Sequence, residues 1–184
     1  MSHLTIYEDS KADNPTLDSR DYAVIADALS TIGVQFERWE THDPLQTGAT
    51  DEDVMEAYAS DIERLKSENG YQSVDVVRLW AEHPERDEFR QKFLSEHVHS
   101  DDEVRFFVEG AGMFYLHADG KVFMMLCEAG DLINVPSGAK HWFDMGPEPS
   151  FTCIRLFTRP DGWHADFTGD NIAERFPKFE RPAA

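Results

Sequence analysis

The chain has 184 residues, 41% of them hydrophobic and 12% aromatic, which suits one folded domain with a substantial core and excludes general disorder. Thirty-six acidic residues against 17 basic ones leave a formal charge of −19. That balance argues against nucleic acid and anionic membrane surfaces as partners, and mutual repulsion of like-charged copies at low salt predicts a monomer.

Taken in chain order, the N-terminal MSHLTIYEDSKAD carries no apolar leader, and no apolar run approaches the ~20 residues that span a bilayer. A cytoplasmic location is therefore expected. DSRDYAVIADALSTIG reads as a helix with Tyr22, Ile25, Leu29 and Ile32 on one face and Gly33 ending it. Residues 34–40 read as a strand. Thr50 opens a single helix that runs to Gly70, with acids in its first turn and Val54, Tyr58, Ile62 and Leu65 as its apolar stripe. Residues 73–81 read as a strand, and 84–96 as a short helix begun by Pro84.

After residue 96 the texture changes. VRFFVEG, GMFYLHADG, KVFMMLCEAG, DLINVP and SFTCIRLFT are short β segments parted by Glu109-Gly110, Asp119-Gly120, Ala129-Gly130 and Ser137-Gly138 turns. Strands at roughly 8–12-residue spacing predict an antiparallel sandwich or barrel with its chemistry on the inner face. The tail holds one short helix after Asp170 and a frayed, proline-bearing end. Cys127 and Cys153 lie in apolar runs without CxxC spacing and read as buried, reduced thiols.

The chemistry gathers in EHVHSDDEVRFFVEG, residues 96–110. Residues two apart on a strand share a face, so His97 and His99 project together. Glu103 opens the next strand, and its parity continues through Arg105 and Phe107, with Val104, Phe106 and Val108 opposite. Both faces are largely apolar, so the strand is covered on both sides and its charged residues need partners or a metal. His141, after a Pro-Ser-Gly turn, is a fourth ligand candidate. Three imidazoles and a carboxylate suit a divalent transition metal and leave two positions of an octahedral ion open. An isolated HxH or DDE run is weak evidence, since both are common on surfaces; the combination is more specific. His3, His42, His83, His117 and His164 lack such a setting and read as surface or satisfied core residues, His164 being the least certain because Trp163 adjoins it.

The spacing His97-x-His99, three residues, Glu103, six residues, Gly110, followed by Gly130, five residues, Pro136-x-Gly138, two residues, His141, resembles the two signature motifs of the cupin superfamily. One departure is Met145, where the second motif often has a non-ligating asparagine. The resemblance implies a mainly β cupin barrel (a double-stranded β-helix, or jelly roll) with flanking helices and an N-terminal α/β extension. It would be one domain over 1–184: flanking elements in 1–96, the metal-binding barrel in 97–160, and the tail in 161–184.

Within the cupins, EHVHSDDEVRFFVEGAGMF, LCEAGDLINVPSGAKHWFDMG, FTCIRLF and GWHADFTGD resemble the acireductone dioxygenases of methionine salvage, more the bacterial than the eukaryotic members, over most of the chain. That likeness implies one Fe²⁺ or Ni²⁺ held by His97, His99, Glu103 and His141. It implies 1,2-dihydroxy-3-keto-5-methylthiopentene and O₂ as substrates. Formate and the keto-acid precursor of methionine follow with iron; methylthiopropionate, formate and carbon monoxide follow with nickel. Arg105, on the face of Glu103, would stabilise negative oxygen on the substrate, or make a salt bridge to a nearby acid. Arg155 is placed for the same role or for an ion pair with a nearby acid. Phe93, Phe143 and Trp163 match aromatics around the methylthio tail, though core packing explains them as well. Glu96 and Asp101 flank the ligands and would orient an imidazole N–H, or stand in solvent. Another metal cupin, such as an isomerase or a different dioxygenase, and a non-enzymatic binding role are the rival readings.

Overall fold

A computed structural model describes residues 1–41 and 49–180. His42 and the second tail proline, Pro182, lie outside them. The elements run β1 (His3–Glu8), β2 (Leu17–Ser19), α1 (Tyr22–Ser30), β3 (Gln35–Arg38), α2 (Asp51–Ala57), α3 (Ala59–Asn69), β4 (Ser73–Leu79) and α4 (Arg86–Phe93). They continue with β5 (His97–His99), β6 (Glu103–Ala118), β7 (Lys121–Glu128), β8 (Asp131–Val135), β9 (Lys140–Asp144), β10 (Phe151–Phe157), β11 (Ala165–Phe167) and a 3₁₀ turn (Ile172–Glu174).

The strands form two antiparallel sheets that share β6. Its first half lies between β10 and β8, with β4 and β3 at the edges. Its second half lies between β7 and β9, in the order β2-β1-β7-β6-β9-β5-β11. This is the expected cupin-like β fold with its sheets left open at the edges rather than closed into a barrel.

The expected turn at Glu109-Gly110 is not a turn. Gly110 takes a φ of +75°, and a β-bulge against Thr152/Cys153 shifts the register. The strand bends there and passes from one sheet to the other without stopping. A Cβ on Gly110 would collide with the Ser150 carbonyl oxygen, so this close approach admits only glycine.

Parity along β6 is as the sequence predicts. Phe107 packs with Phe114, Ile133, Phe143, Phe151 and Cys153 in the core between the sheets. Val104, Phe106 and Val108 face outward, covered by Val54, Tyr58, Ile62 and Leu65. Those four come from one predicted helix, which the structure divides at Tyr58 (φ −106°, ψ 16°). The Tyr58 ring is buried 5.2 Å from Phe106, and the break lets both segments keep their apolar faces on the sheet.

Three further elements differ from expectation. β1 pairs with β7 through Leu4 and Ile6, an alternation too short to signal a strand alone. β11 is a triplet with one charged residue and no strand pattern of its own, and it pairs with β5. The described part of the tail docks on the outer face of the second sheet, while the end expected to fray lies partly outside the described residues. On that face Ile172, Ala173 and Phe176 cover Tyr115 and Trp142, and the Phe179 N–H donates to Asp144 Oδ2 at 2.9 Å. Both cysteines are free and fully buried, and burial pushes both thiols up, which leaves them unreactive. No helix among the described residues is long and apolar enough to cross a membrane.

Candidate metal centre

Two strands of the second sheet, β5 and β9, and the start of β6 in the first bring the predicted residues together. His97 and His141 are direct cross-strand partners on β5 and β9. His99 follows two residues on, and Glu103 opens β6 after a tight Asp101-Asp102 turn. All three histidines and Glu103 are buried. One ring nitrogen from each imidazole lies within 4.8 Å of the others. Oε2 of Glu103 stands 3.3 Å from Nε2 of His141 and 3.5 Å from Nε2 of His99.

Each imidazole spends its Nδ1 proton on a main-chain carbonyl: His97 on Ser95 at 2.8 Å, His99 on His164 at 2.8 Å, and His141 on Ala139 at 2.9 Å. These bonds assign the Nδ1–H tautomer and leave the Nε2 lone pairs directed inward. Burial pushes the His97 imidazole down to about 4, aided by neighbouring His141, and lowers that of His99 in the same way. Burial would by itself raise the Glu103 carboxyl. Arg105, then His141 and His99, outweigh it and hold the group well below the usual carboxylate range.

A carboxylate oxygen therefore faces imidazole lone pairs in a buried site, and Nε2 of His141 has no hydrogen-bond partner among the described residues. That arrangement repels itself unless a cation sits among the four groups. The donor set of three neutral nitrogens and one anionic oxygen fits a borderline divalent metal.

Arg105 is also buried. Its Nη2 donates to Oε1 of Glu103 at 2.5 Å, and its guanidinium carbon lies 5.0 Å from the Phe114 ring centre and 4.6 Å from that of Phe143. Nε of Arg105 has no partner among the described residues. Arg155 stands directly across from Arg105 in the sheet but makes a bidentate pair with Asp75 of β4, at 2.9 and 2.7 Å. Arg155 thus has an ion-pair partner and also borders the cavity.

That cavity, of about 970 Å³, opens from the histidines to the surface. Phe93 and Phe143 border it with their rings 6.4 Å apart, and Trp163 stands half exposed at its mouth. Trp80, His83, Phe89 and Phe167 line it too. Sequence reading passed over Trp80, Phe89 and Phe167 and took His83 for a surface or satisfied core residue; in the structure His83 lies in ring contact with both Trp80 and Phe89.

Glu96 and Asp101 do not take the Nδ1 protons of the three imidazoles, which go to main-chain carbonyls instead. Glu96 is buried and accepts from Thr168 Oγ1 at 2.7 Å, and its other oxygen lies 2.7 Å from Nδ1 of His117. Asp101 accepts from the Thr158 hydroxyl and from the N–H of Arg159. His117 is therefore a paired residue, as read, and His3 pairs with exposed Asp18.

The sequence pattern of the ARD/ARD' family matches residues 3–165. An acireductone dioxygenase of Parvibaculum lavamentivorans is 57% identical over 180 residues, 98% of each chain. Another, of Hahella chejuensis, is 55% identical over 181 residues, covering 98% of this chain and 97% of that one. Among solved structures, an acireductone dioxygenase from Bacillus anthracis with a cadmium ion in its active centre superposes with a TM-score of 0.78. It is 28% identical, over 91% of this chain and 98% of that one. Fold and site together define a metal-binding enzyme of the cupin class. Within that class, the chain belongs to the ARD/ARD' family.

Proposed function

We propose that this enzyme cleaves the acireductone 1,2-dihydroxy-3-keto-5-methylthiopentene with O₂, as a cytoplasmic monomer acting in methionine salvage. The observation that carries the reading is the set of three imidazoles, each locked by a main-chain carbonyl and each with one ring nitrogen within 4.8 Å of the others, with Nε2 of His99 and His141 beside Glu103. His97, His99, Glu103 and His141 would hold Fe²⁺ or Ni²⁺, which supplies Lewis acidity and a template for vicinal substrate oxygens.

The chain's own part follows from its geometry. An acireductone is an enediol that ionises readily, so the site must receive an anion. Arg105 keeps a fixed positive charge beside Glu103 while leaving Nε free, and its planar fork suits an enediolate oxygen. The rings of Phe114 and Phe143 hold the guanidinium in place. Phe93, Phe143 and Trp163 offer ring edges to a thioether and keep bulk water from the reacting end.

Product analysis tests this reading. The protein is stripped with chelator, reloaded separately with Fe²⁺ and Ni²⁺, and given freshly generated acireductone in air. Formate with the 2-keto acid from the iron form, and carbon monoxide with methylthiopropionate from the nickel form, are the expected results. If neither form consumed substrate faster than buffer, the reading would be wrong and the rival metal-cupin reactions would come forward. Oxygen uptake separates those, since an isomerase uses none.

A further inference from the structure

The three imidazoles are not held alike. His97 and His141 donate to carbonyls two residues back on their own segments, which any folded strand end keeps in place. His99 donates to the carbonyl of His164, 65 residues away. That carbonyl precedes β11, a three-residue strand mostly open to solvent and paired only with β5, through Ala165↔His99, Asp166↔Val98 and Phe167↔His97. A strand so short does not hold its place by main-chain pairing alone.

Two buried carboxylates staple this segment at its ends. Asp101 takes the Thr158 hydroxyl and, at 2.7 Å, the Arg159 N–H. A Cβ on Gly162 would fall on Asp101 Oδ2, so the chain passes directly over that carboxylate. At the far end, Glu96 binds Thr168 twice: its carboxylate accepts from Oγ1 at 2.7 Å, and its main-chain oxygen accepts from the Thr168 N–H at 3.0 Å. Glu96 and Asp101 bracket the His97–His99 strand, and their two anchor points bracket the His164 carbonyl.

We infer that Glu96, Asp101 and Thr168 are positioning residues: they fasten residues 158–168 across the metal strand so that the His164 carbonyl fixes the tautomer of His99. Loosening either staple withdraws the carbonyl from His99, whereas the Nδ1 bonds of His97 and His141 stay within their own segments. This rests on the placement of the histidines rather than on the reaction they serve, and its test reads the metal-free chain. A failed product assay and a failed staple are therefore separate results.

The experiment compares wild type with Thr168→Val and Thr168→Ser, with Thr168→Ala as a second variant should valine prevent folding. In the full-length, metal-free protein, ring ¹⁵N shifts report each histidine's tautomer and hydrogen exchange reports the Thr168 amide. Release of Ni²⁺ to a colorimetric chelator is timed on the loaded protein. Expected for Thr168→Val are faster exchange at residue 168, mixed tautomers at His99 alone, and Ni²⁺ release faster by about tenfold, the lower end for loss of an outer contact to a metal ligand. Serine should restore all three. Asp101→Asn should act on the same histidine. An unchanged His99 with a loosened Thr168 amide would overturn the inference. So would an unchanged amide, or an equal change at all three histidines, which marks general loosening.

Discussion

Nη2 of Arg105 and Oε1 of Glu103 are 2.5 Å apart, and this contact divides the carboxylate's work. One oxygen is held by the arginine, and the other is turned to His141 and His99. The arginine is itself held between Phe114 and Phe143. A lysine there would carry the charge but could neither stack as a plane nor keep the fork geometry. Arg105→Lys should keep close to one Ni²⁺ per chain at saturating metal and lose roughly 10²–10³-fold in kcat, the usual cost of removing a preorganised donor to a developing anion. Metal content and oxygen uptake on one preparation decide this; full metal with undiminished turnover would remove Arg105 from the reaction.

Glu103→Gln tests the other side of the contact. The substitution keeps the shape and removes the charge, which leaves Arg105 buried without its counterion. Breaking a buried pair from one side costs about 3–5 kcal/mol. Wild type should gain about 3 kcal/mol when Ni²⁺ is present at a hundred times its Kd, or roughly 5–10 °C in Tm for a chain of this size. In Glu103→Gln and in His97→Ala, the expected outcome is a lower starting Tm for the first, and for both a lost Ni²⁺-dependent rise together with lost activity. A calorimetric scan with and without Ni²⁺ reads this directly, and a retained rise would exclude the residue from the metal centre.

Acid should weaken the metal-free fold above the range where carboxylates usually titrate. Burial lowers His97 from 6.5 to about 4, with His99 shifted the same way. Between those values the unfolded chain binds protons that the folded chain refuses, so stability is full above about pH 6.5 and falls as pH drops toward 4. The His97 part amounts to about 3 kcal/mol. Glu103 is held well below its ordinary range and does not contribute until lower pH. Urea unfolding of stripped protein at about pH 7, 5.5 and 4.5, set against His97→Gln, isolates the histidine's share. Parallel pH curves for the two proteins would show that His97 is not buried neutral.

The parts of the site legible in the sequence are those set by local geometry. Two-residue periodicity puts His97 beside His99 and puts Glu103, Arg105 and Phe107 on one face, and the structure keeps both sets. What escaped depends on distant partners. Asp75 reaches Arg155 from a strand 80 residues earlier. β11 exists because β5 is there to pair with it, and its own residues carry no strand pattern. Glu109-Gly110 has turn composition, yet the Ser150 carbonyl pressing on Gly110 makes it a bend within one strand. Glu96 and Asp101 drew notice only by nearness to the histidines. Their contacts lie with Thr158, Arg159 and Thr168, which no local spacing reveals.

Gly112 gives the last prediction. Its φ is not positive, so backbone freedom does not explain a glycine in the middle of β6. The reason is the Phe143 ring: a Cβ on Gly112 would overlap ring atom Cζ and lie 2.6 Å from Cε2. Phe107, Phe114 and Phe151 crowd that ring on its core side, so it can yield only toward Arg105 and the cavity. Gly112→Ala should therefore cost about 1–3 kcal/mol from overpacking and raise KM several-fold while leaving Ni²⁺ affinity largely in place, since the ring's near neighbours are Arg105 and other aromatic side chains rather than the four ligand residues. Phe143→Leu on the same chain removes the obstructing ring atoms, and the double variant should recover stability that Gly112→Ala lost. A double-mutant cycle in stability and KM carries the decision. If the two substitutions simply added, glycine at 112 would be serving something other than the ring.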